Sequence, residues 1–166
     1  MRVPIRKGGQ YTNIKSDPFM TEDKLAELEK NLDRLKKDVQ PKLIAEVKRL
    51  ALMGDFSENA AYQMAKGSLR GVNQKILNIE KQIANAQIIE VNKNKQTVQI
   101  GHLITTKIDD QKRQYRILGS SETNPSAGVI SHHSPLGLAL LGKAIGDIVE
   151  IKLGDKLAKY EIIKIE

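Results

Sequence analysis

Apolar residues fall at Leu25, Leu28, Leu32, Leu35 and Val39, at steps of three, four, three and four. That alternation is the seam of a coiled coil, in which one stripe of a helix faces a partner helix. Thr21 stands where a hydroxyl caps a helix start, and Glu22 and Asp23 put negative charge in the first turn, where the helix dipole favours it. Pro41 lacks an amide donor and crowds the preceding turn, yet Leu43, Val47 and Leu50 resume the stripe. A kink or stutter is therefore predicted there, not an end. The run stops at Met53, where Gly54 suits the left-handed residue that closes a helix. A second seam follows at Leu69, Val72, Ile76, Ile79, Ile83 and Ala86. Two one-faced helices joined by so short a connector must fold back on each other, so an antiparallel coiled-coil hairpin over 21–88 is predicted, with its tip near 54–58. At ~1.5 Å per residue, arms of this length put the tip on the order of 45 Å from the base.

From Gln87 the period shortens to two. Strands are predicted at 87–91, 97–100, 103–108, 114–118, 148–153 and 159–165, bounded by Asn-Lys-Asn, Asp-Asp and Gly-Asp turn signals. The apolar, proline-led stretch 135–142 is predicted to be a short helix covering the sheet. The fold class is thus α+β, with a compact antiparallel sheet domain over 89–166 behind the hairpin. Residues 1–20 hold Arg2, Arg6, Lys7 and the pair Gly8-Gly9 without a helical period, and are expected to be a flexible basic tail.

Composition narrows the chemistry. The 166 residues include no Cys, which excludes disulfides, thiolate zinc sites and thiol nucleophiles. No apolar run approaches a membrane span and residues 1–20 lack the apolar stretch of a signal peptide, so a soluble, cytoplasmic protein without a membrane partner is expected. The net charge is +7, from 27 Lys+Arg against 20 Asp+Glu, but it is dispersed along the chain. One local feature survives that dilution: no acidic residue lies between Glu58 and Glu80, where Lys66, Arg70 and Lys75 occur. Lys66 and Arg70 are four apart, on one face of a helix.

Nucleophilic catalysis has little support. His102, His132 and His133 accompany no nucleophile motif, and the adjacent pair in a Ser/Gly-rich loop is expected to be solvated and unsuited to sharing a metal. Polar groups converge instead at the hairpin tip. Asp55 and Glu58 have capping-box spacing, in which the first side chain accepts amide protons and the second reaches back. Two close carboxylates are equally hard oxygen ligands for Mg²⁺, weak alone and useful where a partner supplies phosphates and a second ion. Phe56 and Tyr62 flank the pair, and Lys66 with Arg70 would meet an RNA backbone if the tip met its 3′ end.

The segment Gly54-Asp-Phe-Ser-Glu-Asn-Ala-Ala-Tyr62 resembles the tip pattern G-D-x-x-E-N-A-x-Y of the Gre family of bacterial transcript cleavage factors. Pro41 in the first arm, Asn85-Ala-Gln-Ile-Ile, Tyr115-Arg-Ile-Leu-Gly119, Ser134-Pro-Leu-Gly-Leu-Ala-Leu-Leu-Gly-Lys143 and Gly146-Asp147 fit the same family in order and spacing. The resemblance runs from about Met20 to the end. It implies an FKBP-like C-terminal domain that docks on bacterial RNA polymerase through Ser134, Pro135, Leu136 and Gly137, while the coiled coil enters the secondary channel. It further implies that the protein is no enzyme itself: Asp55 and Glu58 act as the catalytic and Mg²⁺-sharing pair, so that the polymerase cleaves its own backtracked RNA. Ser57, Asn59 and Tyr62 would orient the tip, Lys66 and Arg70 would face the 3′ end of the nascent RNA, and the factor would act as a monomer. Ala61 stands where the family frequently has an acidic residue, and Glu122-Thr-Asn124 replaces the more usual Glu-Ala-Asp. The C-terminal segment leans towards the GreA branch, whereas Tyr62-Gln63, Lys66 and Leu69-Arg70 resemble GreB. The alternative is a channel-binding inhibitor of polymerase without cleavage activity, against which the intact Asp55 and Glu58 argue. A prolyl isomerase or chaperone is disfavoured by the 4% aromatic content, which leaves little for an apolar proline pocket.

Overall fold

The computed structural model describes residues 17–53, 60–90, 95–108, 111–153 and 156–166. The first arm of the hairpin is a helical run from residue 22 to 51: α1 (Glu22–Arg34), a π-turn (Leu35–Val39) and α2 (Gln40–Ala51). The return arm is a single helix, α3 (Ala60–Ala84), which packs on all three pieces. Thr21 caps α1, its hydroxyl accepting the Lys24 amide proton at 3.2 Å.

The stutter before Pro41 has a geometric cause. Leu35, Val39, Leu43 and Val47 follow one another at steps of four, whereas an α-helix turns every 3.6 residues, so such a stripe drifts about 40° per step. A π-turn is wider and absorbs the extra residue. The Gln40 amide bonds to the Leu35 carbonyl five residues back, and Pro41 then falls in the first turn of α2, where its missing donor costs little. Leu28 and Leu50, either side of the wide turn, are both buried, as is Leu35 at its start.

Buried Leu28, Leu35, Ile76 and Ile79 form the hairpin core with Met20, and Leu25, Leu32, Val39, Val72, Ile83 and Ala86 pack around them. The arms are also joined by a Lys36–Glu80 ion pair at 2.6 Å and by the Gln40 side-chain Nε2 donating to Asn73 Oδ1 at 2.8 Å. Both predicted seams thus meet in one interface.

At the base of the hairpin, β1 (Phe19–Met20) pairs in parallel with β2 (Gln87–Ile88). The last residues of the expected tail are therefore built into the fold, and Met20 is only 1% exposed. Its side chain completes the hairpin core, a contact that local polarity could not reveal.

The sheet domain contains β3 (Leu103–Ile108), β4 (Gln111–Leu118), β5 (Val129–Ser131), β6 (Ile148–Leu153) and β7 (Lys156–Ile165), in the order β5-β4-β3-β7-β6. A β-bulge interrupts the β3–β7 register between Thr105 and Thr106. Ile104, Ile117, Leu140, Val149, Ile151 and Ile162 are among its core residues, with the short helix α4 (Pro135–Leu140) packed over β5 and β6.

Three strand expectations need correction. The 87–91 segment yields only β2, because its partner β1 is two residues long. The 97–100 segment forms a single bridge from Thr97 to Ala144; the Val98 amide and carbonyl bond to Lys143 and Gly142, so its backbone is satisfied by a loop. The strand β5, three residues long and unmarked by alternation, pairs in parallel with β4 and makes the sheet mixed.

Candidate functional site

α3 carries Tyr62, Lys66 and Arg70 at four-residue steps, along one face. Lys66 and Arg70 are exposed and Tyr62 is half-buried. The Lys66 ammonium lies 5.9 Å from the Tyr62 ring centroid, within reach of a cation–π contact that orients the lysine stem. Asp55, Ser57, Glu58 and Asn59, with Gly54 and Phe56, lie outside the described residues. The arms on either side end at Ala51 and begin at Ala60. Leu52 is 89% exposed, Met53 68% and Met64 74%, so the described residues leave these apolar side chains close to that connector uncovered.

Ser134, Pro135, Leu136 and Gly137 form the first turn of α4. Ser134 Oγ donates to the Ser131 carbonyl at 2.6 Å and accepts the Gly137 amide proton at 3.0 Å. Pro135 occupies the position where its missing donor is harmless. Leu136 packs on the sheet core, and Gly137 is buried so close to Ser131 that a Cβ there would overlap its carbonyl oxygen. Only Pro135 of the four is exposed, with Leu138 beside it at 60% exposure. The motif's composition is thus accounted for by the turn it builds.

The histidines differ from expectation. His102 is fully buried and its Nδ1 accepts the Gln99 amide proton at 3.3 Å, a structural role. His132 is buried as well, with Nδ1 3.3 Å from the Leu118 carbonyl oxygen and 3.4 Å from Asp17 Oδ2, while His133 is exposed. The turn after β5 sets the two rings 3.9 Å apart between centroids, so adjacency in sequence does not separate them as it would in a strand.

Asp17 and Glu122 belong to no motif in the sequence, because their partners lie about a hundred residues away. Burial opposes ionisation of Asp17, but hydrogen bonds from the Ser120 amide (2.7 Å) and hydroxyl (2.8 Å), one from the Phe19 amide (3.1 Å), and the nearby His132 outweigh it, holding the carboxyl below its ordinary range. Glu122 accepts the Thr21 amide proton at 2.9 Å through one oxygen and the Thr21 hydroxyl proton through the other. Gly119 fits against this strap because a Cβ would overlap the Phe19 carbonyl oxygen. The apolar pair Phe19-Met20 directly before a helix cap marks the segment as packed without naming its distant partners.

A coiled-coil hairpin strapped to a small mixed sheet, with Lys66 and Arg70 on an exposed face of its return arm, defines a two-domain α+β fold. Residues 18–88 match the family described as transcription elongation factor, N-terminal, and residues 93–166 match transcription elongation factor, GreA/GreB, C-term. The chain belongs to the GreA/GreB family of transcription elongation factors. Transcription elongation factor GreA of Clostridioides difficile strain 630 is 39% identical over 89% of this chain and 94% of its own length. GreA of Clostridium botulinum strain Langeland is 34% identical over 88% and 93%. The crystal structure of GreA factor homolog 1 of Thermus thermophilus, 18% identical, covers 89% of this chain and 97% of that one at a TM-score of 0.40. Among the described residues no helix is long and apolar enough to cross a membrane.

Proposed function

We propose that this protein binds bacterial RNA polymerase, inserts its hairpin into the secondary channel and stimulates the polymerase's own cleavage of backtracked RNA. The observation that carries the reading is the hairpin itself, whose arms bracket Asp55 and Glu58 and present Lys66 and Arg70 on the following turns of α3. Asp55 and Glu58 are an oxygen-only donor pair, which suits Mg²⁺ shared with the polymerase. When bound, the ion polarises phosphate and lowers the pKa of its water. The chain's own work is to bring negative charge to that ion, to orient the connector through Ser57, Asn59 and Tyr62, and to hold the RNA 3′ end against Lys66 and Arg70. Docking is assigned to the sheet domain around Pro135 and Leu138, so binding energy and cleavage are separable.

The test uses purified full-length protein and a backtracked polymerase complex with Mg²⁺. Asp55→Ala and Glu58→Ala each lower the rate of appearance of short 3′ RNA fragments by about a hundredfold or more, while polymerase binding stays near the original level. Undiminished cleavage with either variant removes the metal-sharing role. Slowed elongation without any fragments from the unaltered protein identifies a channel-binding inhibitor instead.

A further inference from the structure

The strap at the hairpin base contains a group of side chains that polymerase chemistry does not use. Asp17, His132 and His133 offer one carboxylate oxygen and one nitrogen from each ring, all within 4.8 Å of one another. The Asp17 and His132 side chains are 5% and 8% exposed, and His133 opens the cluster to solvent. We infer that these three residues form a binding site for a divalent ion of the zinc class, tying the segment that leads into the hairpin to the sheet domain.

The donor chemistry selects the ion. Two imidazoles with one carboxylate favour Zn²⁺, Co²⁺ or Ni²⁺ over Mg²⁺ and Ca²⁺, which prefer oxygen throughout. Metal–ligand bonds of about 2.0–2.1 Å place the donors of a tetrahedral site about 3.3 Å apart. The exposed His133 ring is the member that can turn inwards to close the remaining gap. Three protein ligands leave the fourth position for water.

The surroundings hold the donors in place. Ser120 donates to Asp17 through its amide and hydroxyl, and its Oγ lies 2.9 Å from Ser131 Oγ. Ser131 Oγ in turn accepts the His133 amide proton at 3.1 Å, so one serine pair fixes both the carboxylate and the turn bearing the imidazoles. The Phe19 ring stands edge-on to His132 at 5.5 Å and shields it from water. A bound ion would bridge Asp17 and His132, which lie 115 positions apart, and restrain the hairpin relative to the sheet.

Full-length protein stripped of metal is titrated with ZnSO₄ by calorimetry and with CoCl₂ by visible absorption at pH 7.5. The expected result is saturable one-to-one binding, with Co²⁺ d–d bands typical of a site containing nitrogen ligands. Asp17→Asn and His133→Ala each weaken binding at least tenfold, and the Asp55→Ala/Glu58→Ala double variant binds as the unaltered protein does. Because His133 is exposed, its variant keeps the fold, which circular dichroism verifies. Absence of saturable binding overturns the assignment. So does binding that survives both Asp17→Asn and His133→Ala, or binding lost only in the tip double variant.

Discussion

A methyl group at Gly137 would overlap the Ser131 carbonyl oxygen, whereas one at Gly71 meets nothing within 4 Å. The same substitution therefore has opposite signs at the two positions. Gly137→Ala forces the turn before α4 to move and is expected to destabilise by about 1–3 kcal/mol, the usual cost of overpacking. Gly71→Ala, on an exposed helical face, is expected to stabilise by about 0.5–1 kcal/mol through lower unfolded-state entropy. Urea denaturation of both variants measures the difference, and equal signs would show that the close approach at Gly137 relaxes freely. Tip residues follow a third logic: Asp55 and Glu58 are proposed for chemistry supplied to a partner, so their replacement is expected to alter cleavage far more than stability.

Among the elements, the hairpin follows most directly from its pattern. Ile76 and Leu77 are neighbours on α3, but Ile76 is 6% exposed and Leu77 50%. Ile76→Ala is expected to cost about 2–5 kcal/mol and Leu77→Ala at most about 0.5 kcal/mol, read from denaturation midpoints. A similar cost for both would show that the seam does not face its partner as described. The seam also explains the π-turn, since three consecutive steps of four exceed what an α-helix can keep on one face. The sheet domain was less legible at its edges. β3 and β6 appear at their predicted bounds because alternating β-branched residues mark them, with Ile104 and Thr106 inward on β3. β5 has three residues and exists only because β4 offers an edge to it, and the 97–100 segment stays outside the sheet because loop carbonyls and amides satisfy it first.

The whole molecule depends on how hairpin and sheet are joined. Thr21 serves both sides: it caps α1 and donates to Glu122 across the junction. Thr21→Ala is expected to cost about 1 kcal/mol for the cap, plus a coupling with Glu122 of about 0.5–3 kcal/mol. A double-mutant cycle with Glu122→Gln isolates that coupling, and strict additivity would show that the strap contributes nothing. By itself the sequence determined what depends on local periodicity and local chemistry. That covers the two helical arms, most of the strands, and the placing of Lys66 and Arg70 on one exposed face of α3. Only the tertiary structure decided the parallel β1–β2 ladder, the place of Met20 in the hairpin core, the Thr21–Glu122 junction and the meeting of Asp17 with His132 and His133. Each of these joins residues from about 55 to 115 positions apart, and such pairings leave no trace in spacing or composition because their energy exists only once distant backbones are brought together.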